Sequence, residues 1–482
     1  MATINANDLR IKNTKNLAST LQTTSYIFIS KTTPWATGDE TPPTPTNSYR
    51  EYNNTWDEML SLSLITADDI QYMIPRVTWT SGVIYDMYRH DYTPTNVAFS
   101  GAKNLYDANF FVINQNNDVY VCLSNDYGTA SSVEPQNTSG TPFFTSDGYQ
   151  WLRVFRLTPD QVFNASTNNY IPTSSSELVN GDAGAVHTVI IDTPGSDYTV
   201  NPIGAENQLP YYYCRIVGDG RGAVARVTVT GTVVTAVEVV RPGTGYTYAT
   251  LDFVRNRVYS SLTNLDNNAN GLNPQGNGAF TSTVIIGPPG GWGTDIVSEM
   301  GATRVGVFTT LQFNETDFFP NTTFRRIGLL KDPTFRIDTP STATGCFAIN
   351  VDDMGGPTDY TIGEKISQVV EVQGVAKNAI GIVVGWDSTN NIVRYIQDPA
   401  LCADGDGYMY TFNGTRFIVG ITSGKTTKPT TFTGTLEETT FTTGYSAPEA
   451  NKYSGDMVYL SNISPVLRQS TQSEKVSLII SY

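Results

Sequence analysis

SGDMVYLSNISPVLRQSTQSEKVSLIISY, residues Ser454–Tyr482, is the stretch from which the rest of the chain is read. Met457–Leu460 is a short apolar run, Ile463-Ser464-Pro465 predicts a turn, and Val466 and Leu467 begin a second run. From Lys475 the chain alternates, with Val476, Leu478, Ile480 and Tyr482 on one side. Period-two alternation marks a strand with one buried face. Such a strand must find its sheet partners among earlier residues, so this stretch is expected to be a fastening point and not a tail.

With 482 residues the chain exceeds what one hydrophobic core supports, and two or more domains are expected. Thr, Asn, Gly, Val and Tyr dominate, and the apolar runs are short, broken by Gly, Pro, Asn or Asp. That pattern favours strands and turns over helices, so the fold class is mainly β. A formal charge of -15, spread without long acidic blocks, argues against a nucleic-acid groove, which needs a basic face to neutralise phosphates, and no nucleic acid is expected as a partner. No apolar stretch is long enough to span a bilayer, and MATINANDLRIKNTKN lacks a charged end followed by an apolar core; neither membrane insertion nor a signal peptide is expected. Cys122, Cys214, Cys346 and Cys402 are far apart and form no C-x-x-C pair, which predicts buried free thiols in place of a metal site or disulfide framework.

Along the chain, residues 1–24 read as an arm or short helix, and Ser25–Ser30 as a strand closed by Thr33-Pro34-Trp35. Three prolines between Thr37 and Asn47 predict a surface loop. Thr55 with Glu58, and Thr66 with Asp69, have capping-box spacing, which predicts two short helices between Thr55 and Ile74; Arg76–Trp79 then returns to strand. Phe110–Asn114 and Val119–Leu123, separated by Asn116-Asn117-Asp118, predict a hairpin. Val189–Thr199 is echoed by Val237–Thr247: each joins a strand to a Pro-Gly turn and a tyrosine, a degenerate internal repeat. Strands are also expected at Val369–Val372, Ile380–Trp386 and Ile392–Ile396; composition does not decide whether the threonine-rich Thr422–Thr443 is strand or loop.

Ser454-Gly455-Asp456-Met457, Pro465 and the closing strand resemble the C-terminal end of the baseplate wedge subunit of T-even-like contractile-tailed bacteriophages, the gene product eight family. The strand leading to Pro34-Trp35, Trp56, Ile74-Pro75-Arg76 with Trp79, Asp147-Gly148-Tyr149-x-Trp151, Asn169-Tyr170-Ile171 and Phe324–Pro333 resemble the same family in the same order. The resemblance covers roughly residues 20–172, 304–335 and 454–482. It implies a multi-domain β-sandwich-type architecture with a few short helices near the N-terminus and two inserted β-rich modules. The expected division is a discontinuous scaffold domain of residues 1–95, 301–340 and 451–482, a β-sandwich domain of 96–174, a glycine-rich insertion of 175–300 and a second insertion of 341–450. It further implies a homodimeric structural protein, assembled in the host cytoplasm and located in the virion's tail baseplate. There it would join counterparts of gene products six, seven and ten and hold them while the baseplate rearranges on host contact.

No residue pattern points to catalysis or to a cofactor. His90 and His187 sit in no nucleophile motif. Gly218-Asp219-Gly220-Arg221-Gly222 is followed by strand-forming residues and not by a helix, so a tight turn is expected there. Asp404-Gly405-Asp406-Gly407 lacks the remaining ligands of a calcium loop. No catalytic or metal-binding residue is assigned and the protein is not expected to be an enzyme. The candidate site is an interface: Pro42, Pro43 and Pro45 in the loop, with Trp35 and Trp79. The alternative reading is a host-glycan-binding adhesin or an envelope-polysaccharide hydrolase of the tail, using the insertions.

Overall fold

The computed structural model describes residues 6–175, 178, 183–199, 201–203, 207–251, 253, 257–269, 271–272, 279–312, 317–336, 338–354 and 359–481. The chain is mainly β, with several sheets and few helices. It divides into two compact units: Met1–Lys15, Gln71–Val305 and Ile480–Tyr482 form the first, Asn16–Ile70 and Gly306–Ile479 the second.

In the second unit, Ser25–Ser30 is buried along its whole length and pairs with Met59–Leu64 on one side and Thr323–Lys331 on the other. Thr342–Thr344 extends this antiparallel sheet at one edge, and Asp456–Leu467 forms the other. Tyr26, Phe28, Trp56, Leu62 and Leu330 fill the core against it. Burial of each such aliphatic or aromatic side chain contributes roughly 1.5–3 kcal/mol.

Asp456–Leu467 corrects the expected turn at Ile463-Ser464-Pro465. Phe324 faces Val466 and Arg326 faces Asn462, so the longer strand carries extra residues there as a bulge. A bulge on an edge strand is a place where proline's missing N–H costs no ladder bond. The closing strand is Glu474–Ser481, with Val476 and Leu478 buried, and its sheet neighbour is Arg304–Leu311. Tyr482 of the expected strand lies outside the described residues.

The helices also differ from expectation. Ala6–Leu21 is a helix of 16 residues, with Met1–Asn5 of the expected arm outside the described residues. Instead of two helices between Thr55 and Ile74 there is one, Tyr49–Asp57, capped by the Ser48 hydroxyl, which accepts from the Glu51 amide. Met59–Leu64 follows as a strand, because MLSLSL alternates with period two. The Thr66–Asp69 capping box is real but yields only a single 3-10 turn, after which Ile70–Pro75 is a strand paired with Tyr170–Pro172. Arg76–Trp79 makes one isolated bridge, Thr78 to Ile113, and no strand.

The second unit also contains a barrel. Ile392–Ile396, Val375–Asp387, Lys365–Val372, Ile418–Gly420, Thr426–Pro429 and Phe347–Asp353 pair in that order, and Phe347–Asp353 pairs back with Ile392–Ile396. Ile349, Val383, Val393 and Tyr395 pack inside its core. The threonine-rich segment supplies the strand Thr426–Pro429 and a hairpin, Gly434–Leu436 with Thr439–Phe441, whose turn residues Glu437 and Glu438 both take positive φ.

In the first unit, Phe111–Ile113 and Asp118–Asn125 form the expected hairpin. Asn117 takes φ 62°, and the Asn114 side-chain oxygen accepts from the amides of Asn116 and Asp118, so asparagine chemistry makes the turn. The internal repeat is visible as reciprocal bonding. The Val186 amide donates to Pro242 and the Val234 amide to Pro194; the Tyr198 amide donates to Thr232 and the Tyr246 amide to Gly184. Gly195 and Gly243 share φ 64°, and Tyr198 and Tyr246 are both buried. Each copy therefore closes the other's strand-turn-tyrosine unit.

Candidate functional site

The proline-rich loop is held in the second unit by three anchors. The Trp35 indole donates to the Ile463 carbonyl at 3.1 Å, and the Asn462 amide side chain donates to the Pro43 carbonyl at 2.8 Å. The third anchor is Arg325, whose Nε and Nη2 donate to the two carboxylate oxygens of Asp39 at 2.8 and 2.7 Å. This bidentate contact holds the Asp39 carboxyl below its usual range, with help from the Trp35 amide. Trp35 is buried, with Lys31 Nζ 4.8 Å and the Arg326 guanidinium 5.4 Å from its ring centre.

Beneath the loop, Arg326 joins three elements. Its guanidinium pairs with Glu51, donates to the Thr55 hydroxyl at 2.8 Å and to the Asn462 side-chain oxygen at 2.8 Å, and lies 3.5 Å from Glu58. Glu58 is also 2.7 Å from Lys31 Nζ. Burial pushes the Glu58 carboxyl up, and Lys31 and Arg326 partly offset this; burial likewise pulls Arg326 down from its ordinary value. The helix, the sheet interior and the edge strand are thus tied by one buried, hydrogen-bonded set of charges. Thr55 and Glu58 mimic a capping box in the sequence because both are polar partners of Arg326.

Pro42 and Pro45 are half-buried and Pro43 is exposed. Beside Pro45 an open groove of about 790 Å³ is lined by residues 45–49, Tyr52 and residues 455–460. Tyr52 donates to the Gly455 carbonyl at 3.0 Å, whereas Tyr49 is 89% exposed. Trp35, Pro42, Pro43 and Pro45 thus belong to one loop fastened to the bulged edge strand. Trp79 belongs to the first unit, where it is half-buried and its indole donates to the Ser131 hydroxyl at 3.1 Å. Sequence reasoning missed Asp39, Arg325, Arg326 and Asn462. Their only signal was the arginine pair that interrupts the apolar residues of TFRRIGLLK between Phe324 and Ile327.

The other sequence candidates serve local structure. His187 is half-buried and its Nε2 accepts from the Trp292 indole at 2.7 Å; burial lowers its pKa to about 4, which keeps it neutral at pH 7. His90 is exposed. The Asp219 carboxylate accepts from the backbone of Thr247 and Tyr248 and from the Thr247 hydroxyl, which lowers its pKa to about 2, and Val224–Thr230 follows as a strand. Asp404 accepts from the amides of Asp406 and Tyr408 and from the Tyr410 hydroxyl, closing its own turn. Cys122, Cys214, Cys346 and Cys402 are buried, and no disulfide joins any two of them.

No protein-family model matches the sequence, and no curated protein matches it.

Proposed function

We propose that this chain is a structural, non-enzymatic subunit of the baseplate wedge of a contractile phage tail. It joins neighbouring wedge proteins, counterparts of gene products six, seven and ten, and holds them as the baseplate changes shape on host contact. The reading includes a homodimer, assembled in the host cytoplasm and carried in the virion's baseplate.

One observation carries the reading. Four of the five strands of the second unit's sheet, Ser25–Ser30, Met59–Leu64, Thr323–Lys331 and Asp456–Leu467, come from the three separated stretches that resemble the wedge subunit. Segments far apart in sequence that share a family pattern and also share one sheet support a common scaffold and argue against scattered coincidence. The buried Arg326 set fixes that scaffold, as suits a part that transmits force through shape-complementary surfaces.

Co-expression of this chain with the other wedge proteins of its phage tests the proposal. Co-elution as one complex on size exclusion, lost when the loop carrying Pro42, Pro43 and Pro45 is replaced by a glycine-serine linker, is the expected result. Elution of the unaltered chain apart from every wedge protein would overturn it.

A further inference from the structure

A cleft of about 750 Å³ opens in the second unit beside the barrel, within the size range of small-ligand sites. Three half-buried rings, Phe335, Phe347 and Tyr445, line it. The Tyr445 hydroxyl is already committed, donating to the Gly414 carbonyl at 3.0 Å and accepting from Gln368 at 3.3 Å, so this residue offers the cleft mainly its ring.

Asp317 and Glu449 stand in the same cleft. The Thr342 hydroxyl donates to one oxygen of Asp317 at 2.8 Å, and the Thr344 amide to one oxygen of Glu449 at 3.0 Å. The second oxygen of each has no protein donor among the described residues. Burial raises the pKa of both, and nearby carboxylates add to the effect. The remaining wall carries threonine and serine hydroxyls together with Asp338, Glu438 and Arg336, so that carboxylates outnumber cations in the cleft.

We infer that this cleft binds a neutral oligosaccharide, with the rings against the C–H face of a pyranose and Asp317 and Glu449 accepting from its hydroxyls. The lining selects this chemistry. Phosphates, uronic acids and other anions are repelled by the carboxylates. A wholly apolar ligand would desolvate those carboxylates and give them no donor. A neutral sugar supplies an apolar face and paired hydroxyl donors together. The inference is independent of the wedge role, because most of the cleft's lining comes from residues outside the stretches that carry the resemblance.

The test uses the full chain with maltotriose, cellotriose and triacetylchitotriose, read by saturation-transfer NMR and titration calorimetry. The expected result is saturable binding of at least one of them. Glu449→Gln keeps an acceptor for the Thr344 amide but loses the charge, and should weaken that binding about tenfold while the melting temperature holds or rises slightly. Asp317→Asn supplies the same readout should Glu449→Gln fail to fold. Absence of saturation by all three sugars at about 10 mM, a limit weaker than any useful affinity, would overturn the inference. So would binding that both folded variants leave unchanged, or a preference for trilysine over every sugar.

Discussion

Arg326 and Glu449 lie in the same unit, and each is drawn partly or wholly out of water. Around Arg326 the charges alternate in sign and are hydrogen-bonded to one another: Glu51, Glu58 and Lys31, with Thr55 and Asn462 completing the set. Around Glu449 the neighbouring charges are mostly of its own sign, Asp317 and Glu438, with Arg336 the cation that eases them. The first arrangement resists change, since removing one member strands the others. The second leaves carboxylate oxygens ready for a donor from outside. Glu364, in the barrel, shows what a fully served carboxylate looks like: the amides of Thr361, Thr422 and Ser423 and the Ser423 hydroxyl all donate to it.

The comparison breaks most visibly at Arg326. Arg326→Met should destabilise the second unit by about 3–5 kcal/mol in urea unfolding, because Glu51 and Glu58 lose their buried partner. Adding Glu51→Gln and Glu58→Gln should recover part of that loss. A change below about 1 kcal/mol for Arg326→Met would mean the charges are not acting as a set.

Glu364→Gln comes next. Charge-assisted bonds to four donors are weakened, and a loss of about 1.5–3 kcal/mol is expected at neutral pH. Burial alone would raise the Glu364 pKa, but these bonds outweigh it and the net shift is downward. Its contribution is therefore present above the ordinary carboxylate range and lost as pH falls through the lowered folded value. Unfolding of wild type and variant should converge in acid; a constant gap at every pH would contradict the assignment.

The smallest effect has the opposite sign. Burial raises the pKa of Glu449, and Asp317 and Glu438 add to it, so its stabilising contribution exists below the ordinary carboxylate range and disappears as pH rises through the raised folded value. Glu449→Gln should thus stabilise by about 0.5–1 kcal/mol at neutral pH and by nothing in acid. A destabilised variant at neutral pH would show that the carboxylate is served by groups other than the Thr344 amide.

What the sequence disclosed follows from how local each feature is. Ser25–Ser30 and Ile392–Ile396 were legible because a short apolar run between breakers has one reading. The Pro-Gly-Tyr repeat was legible too, although only the folded chain reveals that each copy bonds to the other. The helix Tyr49–Asp57 was not, since YREYNNTWD is polar and Thr55 and Glu58 carry a helix-start signature for an unrelated reason. Nor was Pro465, which breaks most strands but fits a bulged edge. The cleft was wholly invisible, because Asp317, Phe347 and Glu449 are far apart in sequence: the first and last bond to the Thr342–Thr344 strand, while Phe347 belongs to the barrel.

Cryo-electron microscopy of intact contractile tails from the source of this chain tests the proposed wedge role most directly. The account predicts density in each baseplate wedge that fits the sheet built on Ser25–Ser30, with the Pro43 loop and the Asp456–Leu467 edge against neighbouring wedge proteins. A baseplate resolved in full with this chain absent from every wedge, or present only as a peripheral fibre, would contradict it.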